Sequence, residues 1–226
     1  MNNQKNKRIL EVFTDYVCPW CYLGDSRVKK IKKKFKIDIQ LIHFPLHPET
    51  PTEGKTLLEL FGSNQDDIDQ KNERMKALML NEGLPYNART HTYNSRLAQE
   101  IGAWAQSIDN NTSIHDNFFE AYFVKGLNVG LESVILDVVS KSGLDPEEAR
   151  NVIKNRLFMK NIDEDWNKSR TYGVTGVPTY VYQKQSIVGA QPLENLVEFL
   201  NHFDVPNLSL IHISEPTRRY AISYAV

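Results

Sequence analysis

Two cysteines separated by two residues constrain this chain more than any other feature. Cys18 and Cys21 are the only cysteines among its 226 residues, and Pro19 and Trp20 lie between them. This spacing allows a small disulfide ring at the start of a helix, where the outer thiol ionises readily and the inner thiol can resolve a mixed disulfide. A structural crosslink more often joins distant segments, because the entropy that it removes from the unfolded chain grows with loop length. The motif therefore indicates thiol–disulfide chemistry, which requires two sulfur atoms that are close enough to bond and not buried.

The residues around the motif predict a strand, a helix and a second strand. Lys7–Phe13 carries a nearly continuous apolar run, which is typical of a buried strand. Pro19 suits the first turn of a helix, because its missing N–H is not needed there. Ile37–Phe44 then alternates like a second strand. The result is a βαβ unit with the cysteines at the carboxyl end of its first strand, where open α/β sheets place their chemistry.

The remaining chain predicts an α/β domain that is interrupted by helices. Helical patterns without a strand signal fill the long middle segment, with caps at Asn64 and Asp145. Strand patterns return at Thr179–Tyr182 and Ile187–Ala190, and a helix follows from Pro192. The two flanking halves need each other to complete a sheet, so we expect a single α/β domain with a helical insertion. The predicted parts are the two halves of the α/β domain, 7–52 and 173–204, and the all-helical insertion, 53–172.

Composition narrows the class of protein and its compartment. The chain is 41% hydrophobic and 24% charged with a net charge of -1, which gives no reason to expect nucleic acid or an anionic membrane as a partner. The apolar stretch Ile9–Phe13 is too short for a signal peptide. We therefore expect a cytoplasmic protein, in which a close cysteine pair is more often catalytic or metal-binding than structural. No pattern specifies an oligomeric state.

The last residues resemble a translated sequencing adapter. From Leu208 the chain reads Leu-Ser-Leu-Ile-His-Ile-Ser-Glu-Pro-Thr-Arg, then Arg-Tyr-Ala, then Ile-Ser-Tyr-Ala-Val. These blocks correspond to a transposase end, an index and a flanking primer, in the order and frame of such an adapter. We therefore expect residues 208–226 to be an unstructured artefact and exclude them from the fold. The alternative is a genuine strand that uses Ile211, Ile213 and Tyr220.

A proline before the third strand completes a recognisable pattern. Val177–Pro178 is a candidate for a cis peptide bond, although periodicity alone favours trans. Together with the cysteine motif, this loop resembles the thioredoxin superfamily, in the DsbA-like class with a helical domain inserted into the thioredoxin fold. The chain is most similar to the FrnE-type branch of dithiol–disulfide isomerases, from about Arg8 to Phe203. The matching segments are Phe13–Gly24, Ala121–Phe123, Gly173–Thr179 and Gly189–Pro192.

The resemblance implies a role for each residue of the matching motifs. Cys18 would be the nucleophile and Cys21 the resolving thiol, with Pro178 as a cis-proline facing them and Val177 offering its backbone to an extended substrate. It further implies a redox-active Cys18–Cys21 disulfide with possible glutathione exchange, no bound cofactor, and a polypeptide or a small thiol or disulfide as the partner. His47 stands where asparagine is more usual in such proteins, which puts the second wall of the groove in doubt.

Two further residues near the motif are candidates for supporting roles. Asp15 relays a proton, caps the start of the helix, or is a plain surface-loop carboxylate. Trp20 forms an apolar wall around the thiol. The helix dipole at the first turn stabilises a Cys18 thiolate in any of these cases.

Three alternatives compete with a disulfide oxidoreductase. His43 and His47 nominally complete a Cys₂His₂ zinc set with the two cysteines, although the spacing is longer than in a zinc finger and Pro45 breaks any helix between the histidines. A glutathione-dependent isomerase or transferase acting on a small molecule is the second alternative, and related families of that kind carry serine at the first cysteine position. A binding module with a vestigial motif is the third.

Overall fold

The computed structural model describes residues 8–109 and 113–208. All of the predicted artefact at residues 208–226 except Leu208, and Lys7 at the start of the predicted first strand, lie outside the described residues. The elements in chain order are β1 (Ile9–Thr14), α1 (Pro19–Lys34), β2 (Asp38–His43), β3 (Lys55–Thr56), α2 (Leu57–Phe61), α3 (Gln65–Asn81), β4 (His91–Thr92), α4 (Arg96–Asp109), α5 (Ser113–Phe119), a π-helical turn (Glu120–Val124), α6 (Glu132–Lys141), α7 (Pro146–Asn155), α8 (Met159–Thr171), β5 (Thr179–Tyr182), β6 (Gln185–Val188) and α9 (Leu193–Asn201).

One mixed sheet joins the two ends of the chain. Its strand order is β2-β1-β5-β6, with β1 parallel to β2 and the remaining neighbours antiparallel. The central strand β1 therefore pairs with β2 on one side and, at Val12 opposite Tyr180, with β5 on the other. The βαβ and ββα halves complete a single sheet, which confirms the predicted α/β architecture with a helical insertion.

The insertion is mostly helical but contains one short ribbon that the sequence did not predict. β3 and β4 pair antiparallel, with Lys55 opposite Thr92. The prediction of helices alone between residues 53 and 172 is therefore wrong at these positions. Two-residue strands are too short to produce an apolar alternation, so pattern analysis has no signal for them.

Capping residues start the helices of the insertion where the sequence predicts. Asn64 accepts a hydrogen bond from the backbone N–H of Asp67 at the start of α3, and Asp145 accepts one from Glu147 at the start of α7. A capping box at Thr56 and Glu59 starts the short helix α2. At the end of α5 the helix widens into the π-helical turn, which places Tyr122 and Phe123 in the core.

The last hairpin is tighter than the sequence predicts. β6 begins at Gln185 and ends at Val188, whereas the predicted strand covers Ile187–Ala190. Gln183 and Lys184 both have positive φ angles, 47° and 70°, which form a two-residue loop between the strands. Two-residue loops of this kind match the twist of the flanking strands even without glycine. Gln185, which the sequence places in the turn, is therefore the first residue of β6.

Two hydrophobic cores lie on opposite faces of the sheet. Alternate residues of β1 and β5 point to different cores, since Phe13 and Val181 belong to the larger one and Val12 and Tyr180 to the smaller one. The smaller core lies under α1 and α9. The larger core is shared with the helical insertion and includes both cysteines. The Cys18–Cys21 motif therefore lies where the two parts of the molecule meet.

Candidate active site

The two cysteines lie at the beginning of α1, directly after the connection from β1. Cys18 is the N-cap residue, with an extended backbone, and Pro19 takes the first helical position. The Cys18 carbonyl accepts the first helical hydrogen bonds, from the N–H groups of Cys21 at 3.0 Å and Tyr22 at 3.2 Å. The unpaired N–H groups of the first turn and the helix dipole favour negative charge at this position.

The two thiol groups differ in acidity. They lie 3.6 Å apart, and both are free. A hydrogen bond from the Cys21 thiol lowers the pKa of Cys18, which outweighs the opposing effects of burial and of the charge on Asp15. Burial raises the pKa of Cys21 well above its ordinary value, and the neighbouring Cys18 raises it further. Cys18 is therefore the thiol that ionises first.

Both cysteines are buried, which contradicts one requirement derived from the sequence. Cys18 is 3% exposed and Cys21 is 2% exposed. Burial of the second thiol is compatible with a resolving role, but a nucleophile must be reached by its substrate. The separation of the sulfur atoms meets the first requirement, whereas exposure of Cys18 depends on a local opening of the surrounding residues.

The proline loop before β5 faces the first cysteine. The Cys18 thiol donates to the carbonyl of Val177 at 3.4 Å, and the Val177–Pro178 peptide bond is cis. The loop is held by the Thr179 hydroxyl, which donates to the Gly176 carbonyl at 2.7 Å. Because Thr179 also pairs with Phe13 of the central strand, the loop lies beside the end of β1 from which the cysteine motif starts.

Asp15 is a buried carboxyl, so the alternative of a surface-loop carboxylate is wrong. It is 0% exposed, and its oxygens accept from the backbone N–H groups of Val17 at 3.0 Å and Leu46 at 3.1 Å. The side chain thereby ties the segment before Cys18 to the segment after β2. It does not cap α1, because these two N–H donors lie before Cys18 and after β2, outside the first turn of the helix. Burial raises the pKa of Asp15 to about 6, against the lowering effect of these hydrogen bonds.

The helical insertion supplies a further partner for Asp15. Gln99 of α4 donates from Nε2 to Asp15 at 3.1 Å and to the Phe44 carbonyl at 3.0 Å, and its Oε1 accepts from the indole N–H of Trp166 at 2.9 Å. The sequence analysis missed this glutamine. It lies in an ordinary amphipathic helix pattern, and no motif distinguishes it.

Trp20 and His47 lie at the more open side of the motif. Trp20 is 37% exposed, and the guanidinium of Arg74 lies 6.0 Å from its ring centroid. Its role as an apolar wall stays a prediction. Burial lowers the pKa of His47, and the nearby charges of Arg89 and Lys55 lower it further. His47 therefore lies near two cationic side chains, those of Arg89 and Lys55.

One of the two histidines proposed for a zinc site has another partner. His43 lies in the core, and its Nδ1 is 3.1 Å from Asp165 Oδ2. Across residues 8–109 and 113–208, no group of three or more histidine, cysteine, aspartate or glutamate side chains is arranged to hold a metal ion. Cys18 and Cys21 instead contact each other and the proline loop.

Two more contacts near the motif carry no sequence signal. The hydroxyl of Tyr16 lies 2.5 Å from His115 Nδ1, and burial lowers the pKa of this histidine to about 3, so the ring is neutral. Arg89, from the connection between α3 and β4, donates to the Val17 carbonyl at 3.3 Å. His115 and Arg89 come from the insertion, and they reach the motif only through tertiary packing.

No helix among the described residues combines the length and the apolar character that crossing a bilayer requires. This finding agrees with the mixed apolar and charged composition of the helices.

Comparison with known proteins identifies similar chains over most of this length. The family described as "DSBA-like thioredoxin domain" matches residues 9–201. The uncharacterized protein YwbO of Bacillus subtilis (strain 168) is 22% identical over 193 residues, which cover 80% of this chain and 90% of that protein.

Solved structures share the fold at low sequence identity. A protein described as a "probable DsbA oxidoreductase" from Streptomyces coelicolor is 22% identical with a TM-score of 0.78, covering 95% of this chain and 94% of that chain. The cytosolic disulfide reductase DsbM from Pseudomonas aeruginosa, in a structure with GSH, is 14% identical with a TM-score of 0.62, covering 86% and 99%. A 2-hydroxychromene-2-carboxylate isomerase is 18% identical with a TM-score of 0.67, covering 92% and 100%. These likenesses establish the thioredoxin-like fold with its helical insertion.

Proposed function

The chain belongs to the DsbA-like thioredoxin family of thiol–disulfide oxidoreductases, and from this premise we propose that it exchanges disulfides with protein or peptide substrates through Cys18 and Cys21. One observation carries the proposal. The two thiols lie 3.6 Å apart, and the one at the helix N-terminus is the more acidic. This asymmetry favours exchange, because the thiolate is the attacking species and Cys18 is the thiol that ionises first.

The reaction follows from the roles of the two thiols. The Cys18 thiolate attacks one sulfur of the substrate disulfide, a Cys18–substrate bond forms, and the substrate S–S bond breaks to release a thiolate that takes up a proton. Cys21 then loses its proton and attacks the Cys18 sulfur, which releases the second substrate thiol. The substrate gains two electrons and two protons, and the enzyme is left with a Cys18–Cys21 disulfide. The reverse sequence oxidises a substrate dithiol.

The proline loop provides the surface on which we place the substrate. The Val177 carbonyl accepts the Cys18 thiol at 3.4 Å, and an extended substrate chain that pairs with the backbone of Val177 replaces this contact. Pro178 holds the loop in position beside the motif. Since Cys18 is 3% exposed, a local opening around the thiol precedes the attack.

Asp15 is proposed to support the site in two ways: it positions the segment before Cys18, and its carboxyl group can exchange a proton. Its hydrogen bonds to Val17 and Leu46 fix the segment that leads into Cys18. With a pKa near 6, the side chain can hold or release a proton close to neutral pH, which fits the proton-relay role. Its negative charge opposes the Cys18 thiolate.

Glutathione is the favoured small-molecule partner. The support is the cytosolic disulfide reductase DsbM, which has this fold and whose structure contains GSH. Exchange with glutathione would reduce the Cys18–Cys21 disulfide by the same two steps in reverse. A glutathione-dependent isomerase acting on a small molecule is the second candidate, supported by the fold of the 2-hydroxychromene-2-carboxylate isomerase. The presence of both cysteines favours the oxidoreductase.

We assign the chain to the FrnE-type branch and to the cytoplasm. The branch rests on the Cys-Pro-Trp-Cys-Tyr-Leu-Gly segment together with the Gly173–Thr179 loop. The compartment is supported by the cytosolic neighbour and by the absence of other cysteines in this sequence, since oxidising compartments favour structural disulfides.

Variants of the two cysteines test the proposal. Cys18→Ser is expected to reduce insulin reduction and disulfide isomerisation to the rate without enzyme, because serine cannot form the mixed disulfide. Cys21→Ser is expected to accumulate mixed disulfides with a substrate peptide, visible on a non-reducing gel, because the release step is lost. The unfolding midpoint of each variant is compared with that of the reduced wild-type protein as the control. Full activity of Cys18→Ser would refute the assignment.

A further inference from the structure

The helical insertion brings one arginine against the start of the redox motif. Arg89 lies in the connection between α3 and β4, and its Nη1 donates to the carbonyl of Val17, the residue before Cys18, at 3.3 Å. The same nitrogen donates to the Tyr122 hydroxyl at 3.0 Å. The guanidinium is therefore held between the insertion and the first turn of α1.

Packing leaves part of this guanidinium without a hydrogen bond. Its central carbon lies 5.8 Å from the ring centroid of Tyr122 and 5.7 Å from that of Phe123. The Nε atom is shielded from solvent and has no hydrogen-bond partner among the residues that the structure describes. A shielded cation in this situation is costly unless an anion lies nearby.

The groups around Arg89 include one that can become an anion near neutral pH. Arg89 takes part in none of the ion pairs found within residues 8–109 and 113–208. Burial works to lower its pKa, but Tyr122, Tyr86 and Cys18 raise it by attraction when they are ionised. An ordinary tyrosine has a pKa of about 10, and burial raises that of Tyr86 further. Cys18 remains as the group that ionises first.

We propose that Arg89 supplies the counter-charge of the Cys18 thiolate, so that the helical insertion contributes directly to the redox site. The inference deepens the proposed function by assigning a positioning and electrostatic role to a residue outside the cysteine and proline motifs. An arginine near a thiolate stabilises it and makes it a better leaving group from a mixed disulfide. It also stabilises the reduced protein relative to the disulfide, because the disulfide carries no charge for Arg89 to neutralise.

Other groups act on the same thiol and must stay unchanged in a test. The Cys21 thiol and the backbone N–H groups of Cys21 and Trp20 lower the pKa of Cys18, while burial and Asp15 raise it. Lys55 adds positive charge on the side of Arg89, where burial and these two cations lower the pKa of His47 and favour its neutral form. A substitution of Arg89 alone leaves all of these in place.

The test is a titration of the Cys18 thiolate by its absorbance near 240 nm in the reduced protein. Arg89→Gln keeps a donor for the Val17 carbonyl but removes the charge, and it is expected to raise the apparent pKa of Cys18. Arg89→Lys keeps the charge and is expected to titrate close to the wild-type protein. Arg74→Met, which removes the cation beside Trp20, is the matched control and is expected to cause no shift.

The outcomes separate this inference from the proposed function. An unchanged pKa in folded Arg89→Gln would overturn the role of Arg89, as would equal shifts in Arg89→Gln and Arg89→Lys, since that result indicates a purely structural effect. If Arg89→Gln does not fold, Arg89→Met replaces it as the charge-removing variant, and an unchanged pKa in folded Arg89→Met would equally overturn the role of Arg89. The titration needs no turnover, so failure of insulin reduction by the wild-type protein would contradict only the proposed function.

Discussion

Asp15 shows at the scale of single residues how burial and hydrogen bonding compete beside the redox motif. Three N–H donors, from Val17, Leu46 and Gln99, favour its charged form. Burial favours the neutral form and prevails, which places its pKa at about 6. Because this pKa lies above its value of 3.8 in the unfolded chain, protonated Asp15 stabilises the folded protein fully below about pH 4. That contribution is lost as the pH rises through 6.

The substitution Asp15→Asn isolates this effect. The variant cannot ionise, so the unfolding free energy of the wild-type protein should fall relative to the variant by about 2–3 kcal/mol between pH 4 and pH 7. Urea unfolding of both proteins at several pH values in this range measures the difference. Asp25, whose pKa burial also raises to about 6, and His115 titrate in both proteins and cancel. A difference that does not change with pH would show that Asp15 has an ordinary pKa.

At the scale of elements, α1 and β5 meet at a glycine. A Cβ atom on Gly24 would lie 2.5 Å from the Tyr180 hydroxyl and 3.1 Å from Cγ of Pro178. The close approach lets the helix that begins with the cysteines pack against the strand that begins after the proline loop. The Tyr180 hydroxyl is buried and has no hydrogen-bond partner among the described residues. Its oxygen therefore contributes van der Waals contact but no hydrogen bond.

Gly24→Ala tests the importance of this contact. Alanine is the better helix former by about 1 kcal/mol, but overpacking against a buried ring typically costs 1–3 kcal/mol, and we expect net destabilisation by about 1 kcal/mol. Tyr180→Phe removes the atom nearest to the added methyl group and should restore part of the stability. Urea unfolding of the single and double variants, with exposed Lys33→Ala in the same helix as the control, measures both effects. Stabilisation of Gly24→Ala by the full gain in helix propensity would show that the added methyl group meets no steric resistance at this contact.

At the scale of the whole molecule, the sheet and the insertion share one core. The larger hydrophobic cluster contains Phe13 and Val177 from the sheet side together with Phe118 and Ile135 from the insertion. Arg27 of α1 adds a polar contact across the same boundary, to Glu82 at the end of α3, and also donates to the carbonyl of Ala190 within the α/β domain. The insertion is therefore part of the structure that holds the motif.

A shared core predicts a single unfolding transition. Trp20 lies at the motif, whereas Trp104 and Trp166 lie in the insertion, so tryptophan fluorescence reports on both parts. Urea unfolding curves followed by fluorescence and by far-ultraviolet circular dichroism should coincide, as for a two-state protein. Two separated transitions would contradict a core that is shared between the sheet and the insertion.

The local properties of the sequence determined most of the elements and placed the two sulfur atoms at the start of α1. The spacing of Cys18 and Cys21, the proline at the first helical position and the caps at Asn64 and Asp145 act over one or two turns of chain. The same is true of β5, whose bounds the apolar pattern predicted without error. Such features need no distant partner, and they also carried the resemblance that implied the family.

Contacts between distant parts of the chain decided the environment of those atoms. Cys18 is buried at 3% exposure, and Gln99 and Arg89 approach the motif from the insertion. The ribbon of β3 and β4 likewise exists only because two distant segments meet. Burial, the pKa of Asp15 and the charge facing Cys18 depend on which side chains packing brings together in space. No local pattern encodes that information, so only the tertiary structure could provide it.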